Sequence, residues 1–85
     1  MKDLVLYYYE ECPYCQRVLR YLEEKNIKLK MKNTRRDNAA REELLRLGGK
    51  TQVPCLMIDG EPLYESLDII DWLEKNIVYV PRALR

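Results

Sequence analysis

Residues 3–9, Asp-Leu-Val-Leu-Tyr-Tyr-Tyr, form a nearly unbroken aliphatic and aromatic run, the pattern of a central strand buried on both faces. Pro13 suits the first position of a helix running to about Lys25, with Val18, Leu19 and Leu22 inward and Asn26 as its stop. Residues 27–32, Ile-Lys-Leu-Lys-Met-Lys, alternate strictly. That alternation predicts a short strand burying Ile27, Leu29 and Met31, and its lysines place it at a sheet edge. Asp37 or Asn38 is the expected cap of a second helix through Leu47, closed by Gly48-Gly49. Two short strands, 54–58 and 61–64, flank Asp59-Gly60, a strong tight-hairpin signal. Ser66 is the expected cap of a last helix, with Leu67, Ile70 and Leu73 at helical spacing and Ile69 and Trp72 beside them. The order β-α-β-α-β-β-α requires a parallel, right-handed crossover in its first half and antiparallel strands in its hairpin. The fold class is therefore α/β, a four-stranded mixed sheet flanked by helices.

The 85 residues carry 15 Lys+Arg against 14 Asp+Glu, a formal charge of +1. No linker, repeat or low-complexity stretch divides them, so residues 1–85 read as a single domain. With 47% hydrophobic and 34% charged residues the chain is globular and not disordered. Near-neutral charge gives no reason to expect a nucleic-acid or membrane partner. No apolar run reaches the roughly 18 residues of a membrane span. The start, Met1-Lys2-Asp3-Leu4, lacks the features of a signal peptide, so a cytoplasmic location is expected; the chain is separately expected to be a monomer. The absence of histidine excludes Cys-His and Ser-His nucleophiles and any imidazole-bound zinc. Three cysteines are too few for a disulfide scaffold and lack an obvious fourth partner for a metal, so no metal site is expected.

The residues that carry chemistry are Cys12-Pro13-Tyr14-Cys15, where the first strand hands over to the first helix. With Pro13 at the first helical position, Cys12 is the N-cap and Cys15 the third helical residue. A sulfur at the N-cap faces unsatisfied backbone N–H groups and the positive end of the helix dipole. Both favour the thiolate, which makes Cys12 the expected nucleophile. Cys15, one turn on and nearer the interior, is the expected resolving thiol. A CxxC in a βαβ setting reads as a dithiol redox pair.

Cys12-Pro13-Tyr14-Cys15 followed by Gln16-Arg17 resembles the dithiol active site of the glutaredoxins, and Thr51-Gln52-Val53-Pro54 resembles their Thr-Val-Pro segment. The resemblance spans residues 3–76 and implies a thioredoxin-like fold. It implies a cis proline at Pro54 facing the cysteines, and a Val53 whose backbone N–H and C=O meet the cysteinyl part of glutathione. Tyr14 and Gln52 are expected to flank the same ligand. Glutaredoxins usually place a Gly-Cys-Asp-like turn before the last helix. Here Tyr64-Glu65-Ser66-Leu67-Asp68 is similar to the Glu-Ser turn of glutathione transferase N-terminal domains. Ser66 at a helix N-terminus suits the γ-glutamyl carboxylate and Glu65 suits its ammonium. Many glutaredoxins also carry a lysine shortly before the first cysteine, where this chain has Tyr9-Glu10-Glu11. Two acids there oppose a thiolate, and Arg17, Arg35, Arg36 or Gln52 are the available compensators.

The resemblance implies a glutathione-dependent thiol–disulfide oxidoreductase. Its partners would be glutathione as co-substrate and oxidised or glutathionylated proteins, with no tightly bound cofactor. One alternative is the same fold recharged by a flavoprotein reductase, and another is a glutathione-binding module with little turnover. Cys55 has two readings, a small core residue or a third thiol beside the site. Tyr7, Tyr8 and Tyr9 are expected in the core or on the sheet. The tail 77–85 is either packed on the core or a partner contact.

Overall fold

A computed structural model describes residues 3–78, and the expectation for the tail falls, from residue 79 on, outside them. β1 (Leu4–Tyr8), α1 (Pro13–Glu24), β2 (Lys30–Asn33), α2 (Asn38–Gly48), β3 (Cys55–Ile58), β4 (Glu61–Tyr64) and α3 (Ser66–Leu73) follow the expected order, and a wide helical turn, Glu74–Val78, follows α3. The sheet is mixed, in the order β2-β1-β3-β4. β1 runs parallel to β2 and antiparallel to β3, which pairs antiparallel with β4.

Both faces of the sheet are covered, which is why β1 reads as a continuous apolar run. Leu6 and Leu56 point toward α1 and α3, into a core completed by Val18, Leu22, Ile69 and Leu73. Val5, Tyr7, Cys55 and Met57 alternate to the other side and meet Leu44 of α2. Asp37, not Asn38, caps α2, its carboxylate accepting from the amides of Ala39 at 3.0 Å and Ala40 at 3.4 Å. Gly49 ends that helix at φ 82°, the left-handed position for which glycine is suited. Asp59 and Gly60, at φ 50° and 84°, form the primed turn that the Asp-Gly pair predicts.

Three expectations are corrected. β2 is shorter than residues 27–32, and its apolar–polar alternation does not sort inside from outside. Met31 is 44% exposed, whereas Lys32 is partly buried because α2 covers its side of the strand. Ile27 and Leu29 do pack on the α1/α3 core, but from the segment leading into the strand. Leu67 points to solvent at 64% exposure, and Ile69 and Leu73 supply the buried stripe of α3. Ser66 is the first helical residue rather than the cap; Glu65 takes that position at φ 72° and makes no side-chain capping bond.

The α2 face also holds a polar knot. The Tyr7 hydroxyl donates to Glu43, and the Lys32 ammonium reaches the same carboxylate oxygen at 2.7 Å. These two hydrogen bonds hold the Glu43 carboxyl below its ordinary value of 4.5, whereas burial and Glu43 push the Tyr7 phenol up. A depressed carboxyl stabilises the fold above its unfolded pKa, and that contribution is lost as pH falls through the folded value. Glu43→Gln is therefore expected to destabilise the domain by about 1–2 kcal/mol at pH 7. The difference from wild type should shrink toward pH 3 in urea unfolding followed by circular dichroism.

Candidate active site

Three loops converge at one end of the sheet. β1 ends there at Tyr8, β3 begins there at Cys55, and β4 ends there at Tyr64. The loops leaving and entering those strands bring the CxxC helix start, the 51–54 segment and the Glu65–Ser66 turn together.

Cys12 is the N-cap of α1, with extended backbone at φ −82° and ψ 121°. Its carbonyl accepts the first helical bond from the Gln16 amide at 2.9 Å, and its sulfur accepts from the Cys15 amide at 3.4 Å. The thiol therefore sits in the field of the helix N-terminus. Cys15, one turn below, is fully buried, and burial pushes its thiol up to about 12. All three cysteines are unpaired thiols. The two members of the CxxC are thus inequivalent: one lines a groove and the other lies in the core.

The groove, of about 620 Å³, has Cys12, Pro13 and Tyr14 on one side and Thr51, Gln52, Val53 and Pro54 facing them. Tyr9, Glu65 and Ser66 complete its wall. The Val53–Pro54 peptide is cis. Every residue expected to contact a ligand thus lies on one surface beside Cys12, with Cys15 beneath it. A larger groove, of about 850 Å³, lies at the opposite end of the sheet around Leu4, Ile27 and Trp72 and contains no cysteine.

Side-chain contacts tie the walls together. The Arg17 guanidinium donates to the Ser66 hydroxyl at 3.4 Å, joining α1 to the start of α3. Gln52 donates from Nε2 to Glu65 Oε2 at 3.3 Å across the groove. Glu65 holds a positive φ rare for a non-glycine residue, a local strain that the surrounding packing maintains. The acids before Cys12 are both paired: Glu10 with Arg36 at 3.3 Å and Glu11 with Arg35 at 3.6 Å. Arg35 also lies over the Tyr9 ring, 4.0 Å from its centroid. Exposed pairs of this kind add little stability. Of the four compensators that the sequence offers, Arg35 and Arg36 pair with these acids, whereas Arg17 and Gln52 are engaged by Ser66 and Glu65.

Cys55 lies on the α2 face, the side of the sheet away from α1, which supports its reading as a core residue. Thr51, in the segment that resembles Thr-Val-Pro, lines the groove, and so does Tyr9, a residue expected in the core or on the sheet. Only the convergence of three loops assembles them.

The sequence profile of the family described as glutathione S-transferase, N-terminal domain, matches residues 6–78. Over 61 residues the chain is 33% identical to Glutaredoxin 3 of Escherichia coli (strain K12), covering 72% of this chain and 74% of that protein. The chain belongs to this family and is a glutaredoxin-type, thioredoxin-like protein. An uncharacterized glutaredoxin-like 8.6 kDa protein in a rubredoxin operon of Clostridium pasteurianum is 36% identical over 66 residues, 75% of this chain and 88% of the relative. Among solved structures, glutathione transferase Omega 3C from Trametes versicolor superposes with a TM-score of 0.76 at 33% identity. That match covers 98% of this chain and 36% of the transferase, so the domain spans about a third of that protein.

Cys12 is 7% exposed and lines the groove, whereas Cys15 and Cys55 have no exposed surface, and that difference predicts selective modification. Under brief iodoacetamide treatment of the folded, reduced protein at pH 8, Cys12 should be alkylated while Cys15 and Cys55 stay free until denaturant is added. Peptide mapping by mass spectrometry reads this directly, and early labelling of Cys15 would contradict the burial argument.

Proposed function

We propose that this domain is a glutathione-dependent thiol–disulfide oxidoreductase acting through Cys12 and Cys15. The observation that carries the reading is the N-cap sulfur of Cys12 opening onto a groove walled by the 51–54 segment and the Glu65–Ser66 turn, with a second thiol one turn below. Membership of a glutaredoxin-type family supports it further. In the groove Ser66 would receive the γ-glutamyl carboxylate, Glu65 its ammonium, and Val53 the peptide backbone of glutathione. Tyr14 and Gln52 would flank it.

The chemistry follows from the inequivalent thiols. Cys12 thiolate attacks the glutathione sulfur of a mixed disulfide, forming a Cys12–glutathione disulfide and expelling the substrate thiolate. A glutathione thiolate then attacks the glutathionyl sulfur, releasing glutathione disulfide and regenerating Cys12. With a protein disulfide, Cys12 forms a mixed disulfide with the substrate. Cys15 then attacks the Cys12 sulfur, freeing the substrate and leaving Cys12–Cys15 oxidised for reduction by two glutathiones. Cys15 is the weaker nucleophile at neutral pH because burial keeps it protonated. Once Cys12 enters a disulfide, the neighbouring charge that also raises Cys15 is gone, so the resolving thiol is easier to ionise when it is needed. The domain needs no tightly bound cofactor in this scheme.

A second reading, recharging by a flavoprotein reductase, has one specific support: the Glu10–Arg36 and Glu11–Arg35 pairs stand where many glutaredoxins carry a lysine. One assay separates the two. A glutathionylated peptide is supplied with glutathione, glutathione reductase and NADPH, using wild type, Cys12→Ser and Cys15→Ser. Turnover should fall at least 100-fold in Cys12→Ser and stay within about threefold of wild type in Cys15→Ser, since the glutathione route does not use Cys15. Wild-type silence here, with turnover on adding a thioredoxin-type reductase, would favour the second reading. Silence in both would leave a binding module.

A further inference from the structure

Tyr64 ends β4 and immediately precedes the Glu65–Ser66 turn, yet its ring lies on the α2 face beside Cys55 and does not line the groove. Its hydroxyl reaches the Gly48 carbonyl at 3.2 Å, the Lys50 carbonyl at 3.5 Å and the Cys55 thiol beside it. The Lys50 ammonium sits over the ring, 4.5 Å from its centroid. Gly48 is the last residue of α2, and Lys50 directly precedes Thr51, where the groove wall begins. The approach is close: a Cβ added at Gly48 would lie 2.2 Å from the Tyr64 hydroxyl oxygen and 3.4 Å from Cζ. Behind the groove, one side chain thus joins the strand that delivers Glu65–Ser66 to the segment that delivers Thr51–Pro54. On the groove side, Gln52 and Glu65 join the same two segments.

We propose that Tyr64 is a positioning residue for the ligand groove. Its hydroxyl sets the spacing between the 51–54 segment and the Glu65–Ser66 turn, and through that spacing the affinity for glutathione, without touching the ligand. The glutathione part of this inference rests on the function proposed above; the clamp itself does not.

Three variants test it: Tyr64→Phe, which keeps the ring and removes the hydroxyl, Gly48→Ala, which pushes a methyl against the hydroxyl, and the pair together. Three quantities are read on the reduced protein: glutathione affinity by NMR titration, the rate of Cys12 alkylation, and amide exchange of Gln52, Val53, Glu65 and Ser66 without ligand. Tyr64→Phe should weaken glutathione binding about three- to tenfold, the effect of a neutral hydrogen bond. Exchange at Gln52 and Val53 should quicken, while alkylation stays within about twofold of wild type. Gly48→Ala should lose more affinity than Tyr64→Phe. The double variant should recover to the level of Tyr64→Phe, because the oxygen that the methyl strikes is gone. The clamp is overturned if Tyr64→Phe leaves affinity and exchange unchanged, if affinity and alkylation fall together, or if the double variant shows additive losses. Should the wild type bind no glutathione, the functional reading fails, and the exchange rates with the non-additivity of the pair still decide the clamp.

Discussion

One row of residues in register across the sheet, Lys32–Tyr7–Cys55–Tyr64, takes one member from each strand in spatial order. Their side chains share the α2 face, and each end of the row grips that helix. Lys32 and Tyr7 hold Glu43 in its middle, and Tyr64 holds Gly48 at its end. The row lies at the end of the sheet where β1 stops, β3 starts and β4 stops. Antiparallel pairing of β3 with both neighbours makes this unavoidable: three connections must leave from the same end. The groove is a consequence of that topology, and α2 is fastened at two points behind it.

On the other face, the same end of β1 launches α1. A helix that begins directly above a core strand places its N-cap residue at the rim of the groove and its third residue in the interior. That geometry sets two chemically identical thiols in different surroundings. Cys12 lines the groove with the Cys15 amide donating to its sulfur, and Cys15, fully buried, is held as a thiol by desolvation. In the proposed chemistry, nucleophile and resolving thiol are separated by position and not by a histidine base, since the chain contains no histidine.

Much of this is legible in the residues. The apolar run of β1, the Asp-Gly turn and Pro13 before a helical stripe are local signals, and each element formed where local chemistry pointed. The site residues were legible because Cys12-Pro13-Tyr14-Cys15 and the segment before Pro54 lie on continuous stretches. What could not be read depends on neighbours distant in sequence. Lys32 is partly buried and Met31 is exposed because α2 covers one side of the edge strand, which alternation alone does not reveal. Leu67 has helical spacing but no facing layer. Ser66 looks like a cap, yet Arg17 takes its hydroxyl and Glu65 occupies the cap position. The pairing of Glu10 and Glu11 with two consecutive arginines, and the grip of Tyr64 on Gly48, exist only in the folded chain.

The proposed function requires the groove beside Cys12 to receive glutathione in a defined orientation. The most direct measurement is a crystal structure of Cys15→Ser trapped as its Cys12–glutathione mixed disulfide. On this reading the γ-glutamyl carboxylate is expected at the Ser66 amide and hydroxyl, the ammonium at Glu65, and the cysteinyl backbone paired with Val53. A glutathione moiety tethered at Cys12 but making none of these contacts, or extending away from the 51–54 segment, would contradict it.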